Sequence, residues 1–153
     1  MRRHGITAVV AVIAAGLVLT PAVAAEASHK EQTNKHKVVY HLSEAGVDKT
    51  RFVLGNIQNT IEGVGGWQNI EAIELVVHGP ALKNFVIKTM DPDLKKALER
   101  LQAQGVGFEA CGNTMKAFQI TLDQLPAGAH HLPQGGVVRI MELEEQGYAY
   151  LRP

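Results

Sequence analysis

The feature that most constrains the fold is a regular alternation of short apolar runs with amphipathic stretches, from residue 37 to the end of the chain. The apolar runs predict five strands, at residues 37–42, 71–78, 106–110, 130–132 and 148–151. Helical spacing of apolar residues predicts four helices between them, near residues 49–64, 91–105, 113–118 and 135–146. Strands that alternate with helices favour a parallel sheet covered by helices on both faces, so we expect a single α/β domain.

The helix near residue 91 has the clearest boundaries. Asp91 offers a capping carboxylate, and Pro92 is suited to the first helical position. Gly105 follows the last apolar position of the repeat and is expected to end the helix. Glycines also follow the first predicted helix, at residues 63–66, but they do not lie in a turn between a strand and the next helix. They therefore do not form a dinucleotide fingerprint, and no cofactor is expected.

Residues 1–24 have the parts of a secretory signal peptide. Arg2 and Arg3 precede an apolar run at residues 8–19, and Ala22 and Ala24 fit a cleavage site with small residues. The apolar run is shorter than the about 20 residues that span a bilayer, although an uncleaved anchor helix is an alternative. We therefore expect cleavage after Ala24, a periplasmic or secreted protein, and no stable membrane anchor after cleavage.

The chain that remains after cleavage is weakly acidic. Two of the 15 basic residues and none of the 15 acidic residues lie in the signal peptide, which leaves 13 basic residues against 15 acidic ones. Without a basic excess the chain is not expected to bind nucleic acid. Residues 25–36 are mostly polar and are expected to form a solvated leader, and residues 37–153 are expected to form the α/β domain.

Cys111 is the single cysteine, so an intramolecular disulfide and a multi-cysteine metal site are excluded. It lies at the predicted carboxyl end of the third strand, where ligands bind in open parallel sheets, and directly before a helix that begins near Asn113. Free amides and the helix dipole at that point favour the thiolate, and Gly112 would let the backbone approach the sulfur. We expect a sulfur partly open to solvent; the alternative is a buried, structural cysteine.

His78 ends the second strand as Cys111 ends the third. If the two strands are neighbours, an imidazolium at His78 could lower the pKa of the thiol further. The alternative is a simple turn in which the ring bonds to backbone. His41 ends the first strand and has the analogous position. The scattered histidines His29, His36, His130 and His131 lack a fixed helical pairing, so no metal site is expected.

Three segments carry a resemblance to a known family. Residues 108–115, with the sequence FEACGNTM, and residues 76–82, with VVHGPAL, resemble the cysteine segment of the DsrE family and the segment before it. Residues 135–151, from GGVVRI to EEQGYAYL, are similar to the closing helix and strand of that family. The resemblance extends from about residue 37 to the end of the chain.

The resemblance implies a three-layer α/β/α domain with a mainly parallel five-stranded sheet, assembled as homo- or hetero-oligomers. It also implies that Cys111 accepts a sulfane sulfur as a persulfide and passes it to another carrier. The leading hypothesis is an exported sulfur-handling protein, at most a sulfurtransferase-like carrier, with a sulfur donor or acceptor protein as partner. Cys111 and His78 would be catalytic, and the amides of Gly112 and Asn113 would hold the anionic sulfur.

Two other hypotheses remain open. The first is a non-enzymatic oligomeric module that binds a ligand or partner and has a structural Cys111. The second, held in reserve, is a redox or metal sensor that uses Cys111 together with His78. The predicted signal peptide distinguishes this chain from the cytoplasmic sulfur relays of the family. The resemblance therefore implies a role for Cys111 but does not identify a pathway.

Overall fold

The computed structural model describes residues 35–153, and these form one domain around a five-stranded parallel sheet. The strand order is β4-β3-β2-β1-β5, and all four neighbouring pairs are parallel. The strands are β1 (His36–Leu42), β2 (Ile70–Val77), β3 (Gly107–Cys111), β4 (Ala129–Leu132) and β5 (Ala149–Leu151). The helices are α1 (Val47–Gly63), α2 (Pro92–Gln104), α3 (Gly112–Phe118) and α4 (Gly136–Glu145).

The predicted order of strands and helices is confirmed, and the bounds differ by a few residues at most. The segment after β2, expected to be a short helix or turn, is the 3-10 helix Gly79–Phe85. The predicted signal peptide lies outside the described residues, as does most of the predicted leader. The last residue of that leader, His36, already belongs to β1. Within residues 35–153 no helix is both long enough and apolar enough to cross a membrane.

Helix α2 begins and ends at the residues that the sequence indicates. The carboxylate of Asp91 accepts hydrogen bonds from the backbone N–H groups of Asp93 and Leu94, which the first helical turn leaves without partners. Gly105 adopts the left-handed conformation (φ 113°) and ends the helix. A Cβ on Gly105 would lie 2.6 Å from the ring of Trp67, so the indole packs directly on this turn.

The two faces of the sheet are covered unequally. Along β1, Val38, Tyr40 and Leu42 face the larger core, where α1, α2, α3 and the 3-10 helix after β2 pack on the sheet. The opposite face carries a smaller core that packs under α4 alone: Val39, Val76, Leu132, Ile140 and Leu143. The prediction of helices on both faces is therefore correct, with only one of the four described α-helices on the second face.

The strand register aligns the carboxyl ends of the central strands. Val77 pairs with Leu42 on one side and with Ala110 on the other. The next residues, His78 and Cys111, therefore leave the sheet side by side, and both belong to the α4 face because side chains alternate along a strand. The first turn of α4 lies over this position.

Candidate functional site

Cys111 belongs to two elements at once. It is the last residue of β3 and the N-cap residue of α3, and its side chain is only 6% exposed. The expected position at the carboxyl end of a parallel strand is therefore correct. The expected partial opening to solvent is wrong, because the glycines at the start of α4 cover the sulfur. A Cβ on Gly135 would lie 3.9 Å from Sγ of Cys111.

The start of α4 packs directly on the residues around the sulfur. A Cβ on Gly136 would lie 3.2 Å from Cγ1 of Val76, 3.3 Å from Cβ of His78 and 3.4 Å from Cβ of Cys111. The preceding residue, Gly135, has φ 94°, a conformation that L side chains rarely adopt. These glycines therefore allow the backbone at the N-terminus of α4 to lie close to the Cys111 sulfur.

Opposing effects set the pKa of Cys111. Burial raises it, but hydrogen bonding from the Thr114 side chain and from the backbone N–H groups of Gly136, Thr114 and Asn113 lowers it by more. The net result is a pKa below the ordinary value of the thiol. The donors come from the first turns of both α3 and α4, so the thiolate is stabilised by backbone on two sides.

Gly112 allows the edge strand β4 to approach the end of β3 closely. A Cβ at this position would lie 2.5 Å from Nε2 of His131 and 2.6 Å from the carbonyl oxygen of Leu132. The glycine is therefore needed for the close approach of β4. The donors that lower the pKa of Cys111 include the Asn113 amide but, within the described residues, not the Gly112 amide.

The ring of His78 is bonded to another histidine. Its Nε2 lies 2.5 Å from Nε2 of His41, and Nδ1 of His41 lies 2.6 Å from the hydroxyl of Tyr150. The ring centroids are 4.6 Å apart at an interplanar angle of 22°, so the two imidazoles meet edge to edge. This pairing differs from both sequence-based alternatives, a contact with the thiol and a bond to backbone.

Both imidazoles of this pair favour the neutral form. Burial and the charge of Arg152 lower the pKa of His78. Burial, His78 and Arg152 lower the pKa of His41 to about 4, against a smaller opposing effect of Glu44. The expected imidazolium at His78 is therefore not the source of the lowered thiol pKa. That source is the Thr114 hydroxyl and the backbone amides.

Polar residues that the sequence analysis did not single out lie further down the same face of the sheet. Glu109 is only 6% exposed, and its Oε1 lies 2.8 Å from Nδ1 of His130 on the edge strand β4. The guanidinium of Arg139 on α4 binds both carboxylate oxygens of Glu74 on β2, at 2.9 and 2.6 Å. These two pairs had a signal in the sequence. Glu74 and Glu109 lie at inward positions of neighbouring strands, and a buried carboxylate needs a partner.

A cavity among the described residues lies away from Cys111 and His78. Its volume is about 720 Å³, and it is lined by Ile87, Leu122, Asp123 and residues 125–129. Within residues 35–153, no group of three or more His, Cys, Asp or Glu side chains is arranged to hold a metal ion.

Comparison with known proteins identifies the family. The family model described as DsrE/DsrF-like matches residues 32–153. The chain belongs to the DsrE/DsrF-like family. The expected family is thus confirmed for the domain, and this DsrE-like domain includes the cysteine, the glycines at the start of α4 and the paired histidines.

Solved structures share the fold of this DsrE-like domain. A protein of unknown function from Methanobacterium thermoautotrophicum is 26% identical, with a TM-score of 0.68 over 78% of this chain and 100% of its own. The YchN protein from E. coli is 17% identical, with a TM-score of 0.60 over 77% and 99% of the two chains. A protein of unknown function from Bacteroides thetaiotaomicron is 15% identical, with a TM-score of 0.54 over 76% and 95%. The comparison with curated proteins gave no match.

Proposed function

We propose that this protein handles sulfur and that Cys111 carries a sulfane sulfur as a persulfide. The observation that carries the proposal is the position of Cys111, which is the N-cap residue of α3 and lies against the first residues of α4, so that the N-terminal backbone of two helices faces its buried sulfur. Hydrogen-bond donors there lower the pKa of the thiol by more than burial raises it. A buried thiol without such donors would have a raised pKa and little reactivity. Membership of the DsrE/DsrF-like family supports the same role.

The charging step needs only a thiolate and a sulfane donor such as thiosulfate. The thiolate of Cys111 attacks the outer sulfur of the donor and forms a new S–S bond. The S–S bond of the donor breaks, and sulfite leaves with the electron pair. The amides of Asn113 and Gly136 then hold a persulfide anion in place of the thiolate.

The discharging step requires a thiol from outside this chain, because Cys111 is its single cysteine. An external thiolate attacks the outer sulfur of the persulfide, and Cys111 leaves as a thiolate. The donors that stabilise the resting thiolate also stabilise this leaving group. A partner protein or a small thiol must therefore approach the carboxyl edge of the sheet.

Mass spectrometry tests the proposal directly. After incubation with thiosulfate or polysulfide, Cys111 should gain about 32 Da, the mass of one added sulfur atom. Cys111→Ser, with nearly the same shape and no thiol, should gain nothing. Absence of the adduct on the wild-type protein, or an equal adduct on the variant, would overturn persulfide carrying.

The low exposure of Cys111 favours a second candidate function, an oligomeric binding module in which the cysteine is structural. The two candidates differ in the chemistry of the thiol. A persulfide carrier should be alkylated rapidly below pH 7. A structural cysteine should react slowly, with a pKa near or above the free value of about 8.5.

We also propose that the domain forms homo-oligomers through the outer side of α4 and the edge strand β5. Apolar side chains are exposed there although α4 is the only described α-helix on its face of the sheet: Val137, Met141, Tyr150 and Leu151. Light scattering after size exclusion should give a multiple of the chain mass, and Met141→Glu should reduce it. A monomeric wild-type protein would exclude this assembly.

Export is a separate proposal, since residues 1–24 lie outside the described part of the chain. The signal-peptide pattern supports a mature protein that begins at Ala25 in the periplasm or outside the cell. N-terminal sequencing of protein purified from a periplasmic extract checks this. An intact Met1 in the cytoplasmic fraction would contradict it.

A further inference from the structure

Arg152 directly follows the edge strand β5 and lies at the same edge of the sheet as the cysteine. The pairing of β5 with β1 extends to Leu151, so Arg152 leaves the sheet beside His41. Its Nη2 group donates to Oγ of Ser43 over 3.3 Å and to Oε1 of Glu44 over 3.2 Å, and both acceptors belong to the loop after β1. These contacts hold a guanidinium at the carboxyl ends of the strands.

The strand register relates this guanidinium to the cysteine. The registers of β1 with β2 and of β2 with β3 make Ser43, His78 and Cys111 neighbours in one row across the sheet. Neighbouring strands lie about 4.8 Å apart, so Ser43 is on the order of 10 Å from Cys111. Arg152, which is bonded to Ser43, therefore lies at a similar distance from the sulfur. Burial and then the charge of Arg152 lower the pKa of His78, so the ring between them is neutral.

The guanidinium has hydrogen-bonding capacity that its contacts with the loop do not use. It carries five N–H donors, and within residues 35–153 both of its hydrogen bonds come from Nη2. Nε and Nη1 can therefore bind a further group, and a carboxylate matches their planar geometry. The ion pair with Glu44 is exposed, at 49% for the arginine and 55% for the glutamate, so it is weak enough for another carboxylate to compete with it.

We propose that Arg152 selects the sulfur partner of Cys111, and that this partner is a small organic thiol, or its disulfide or persulfide, with a carboxylate that binds Arg152. The separation of the two groups determines the class of compound. An extended residue spans about 3.3–3.6 Å, so a thiol the size of a short peptide can reach both groups. Thiosulfate can charge Cys111 but is too short to contact Arg152 at the same time. The inference rests on the proposed function in taking Cys111 as the reactive atom.

Thiol–disulfide exchange tests this selection without any sulfane donor. The Cys111 thiolate attacks one sulfur of a disulfide probe and forms a new S–S bond, the S–S bond of the probe breaks, and its other half leaves as a thiolate. Mass spectrometry follows the mixed disulfide with glutathione disulfide, which carries carboxylates, and with hydroxyethyl disulfide, which is uncharged. Arg152→Gln should lower the rate with glutathione disulfide about fivefold, the effect of one exposed ion pair, and leave the other rate unchanged. Glu44→Gln removes the competing carboxylate and should raise only the rate with glutathione disulfide.

Arg100→Gln is the matched control, since Arg100 is an exposed arginine of α2, on the opposite face of the sheet. It makes the same change in net charge and should leave both rates unchanged. An unchanged ratio of the two rates in Arg152→Gln, an equal loss in Arg100→Gln, or a Cys111 that reacts with neither disulfide would overturn the inference. Persulfide formation from thiosulfate is scored separately on the same proteins. If it is absent while the Arg152 effect is present, only the proposed function is removed.

Discussion

Nε2 of His41 and Nε2 of His78 lie 2.5 Å apart, so two imidazoles from neighbouring strands are joined by a single hydrogen bond. One ring must donate and the other must accept, which requires at least one neutral ring. The hydroxyl of Tyr150 bonds to Nδ1 of His41 and orients the pair from the edge strand β5. Protonation of these two imidazoles is therefore less favourable in the folded state than in an unfolded chain.

The first prediction concerns the acid sensitivity of the fold. The pKa of His41 is about 4 in the folded state against about 6.5 in an unfolded chain. As the pH falls from about 6.5 towards 4, the unfolded chain therefore binds protons that the folded chain does not, and the free energy of unfolding decreases. His41→Phe removes one of these groups, so urea unfolding should show a smaller loss of stability between pH 7 and pH 5.

Tyr150→Phe provides the control for this prediction, because it removes the hydroxyl and retains both imidazoles. It should keep most of the acid sensitivity of the wild-type protein. An undiminished loss of stability in His41→Phe would mean that other groups cause the acid sensitivity.

The second prediction concerns the start of α4. Gly136→Ala places a Cβ 3.2–3.4 Å from Val76, His78 and Cys111, a tight approach that either these packed neighbours or the start of α4 must relieve by a small shift. We expect α4 to shift, because the three neighbours belong to the ends of central strands. The Gly136 amide should then move away from the sulfur, and alkylation should report a higher thiol pKa than in the wild type.

Gly55→Ala is the matched control for that variant. Gly55 lies in the middle of α1, and a Cβ there has no other atom within 4 Å. It should stabilise the protein by about 0.5–1 kcal/mol and leave the thiol profile unchanged. Equal alkylation profiles in Gly136→Ala and Gly55→Ala would contradict a role for the Gly136 amide.

The third prediction concerns the buried carboxyl group of Glu109. Burial raises its pKa, and the bond to His130 opposes that shift. His130→Ala leaves the carboxylate buried without this partner and should lower the free energy of unfolding at pH 7 by about 1–3 kcal/mol. Because protonation removes the charge, the difference from the wild type should shrink on acidification. His130→Gln, which can still donate, should lose less; an equal loss would assign the effect to packing.

The fourth prediction concerns the ion pair that fastens α4 to the sheet. The guanidinium of Arg139 binds Glu74 through two hydrogen bonds, which a lysine cannot reproduce. Arg139→Lys should therefore lower the free energy of unfolding by about 1 kcal/mol. Lys95→Ala removes the exposed 3.9 Å pair with Glu99 and should change it by less than about 0.5 kcal/mol, measured by urea unfolding.

Much of the fold is predictable because its signals are local. The spacing of apolar residues in α1 and α2, the Asp91 cap and the Gly105 stop depend only on residues within a few turns of one another. The position of Cys111 is local as well, since a strand end and the next helix start lie on either side of it in the sequence.

The partners of the site are less predictable because they depend on strand order and helix packing. The end of β2 is identifiable from the sequence. However, β2 lies between β1 and β3, and the residues around His78 do not indicate towards which of these two strands its ring turns. The ring turns towards His41 on β1. Gly136 lies 25 residues after Cys111 and reaches the sulfur only because α4 packs across the sheet.

Helix α4 is the only described α-helix on its face of the sheet, and its first amide acts on the Cys111 sulfur. The protein therefore contains its own chemical reporter. The rate at which the Cys111 thiol reacts should indicate whether the ten-residue helix α4 is packed on the sheet, so no added probe is needed to follow the position of the helix. Any molecule that binds the outer side of α4 and shifts it should be detectable as a change in that rate, even when it never touches the cysteine.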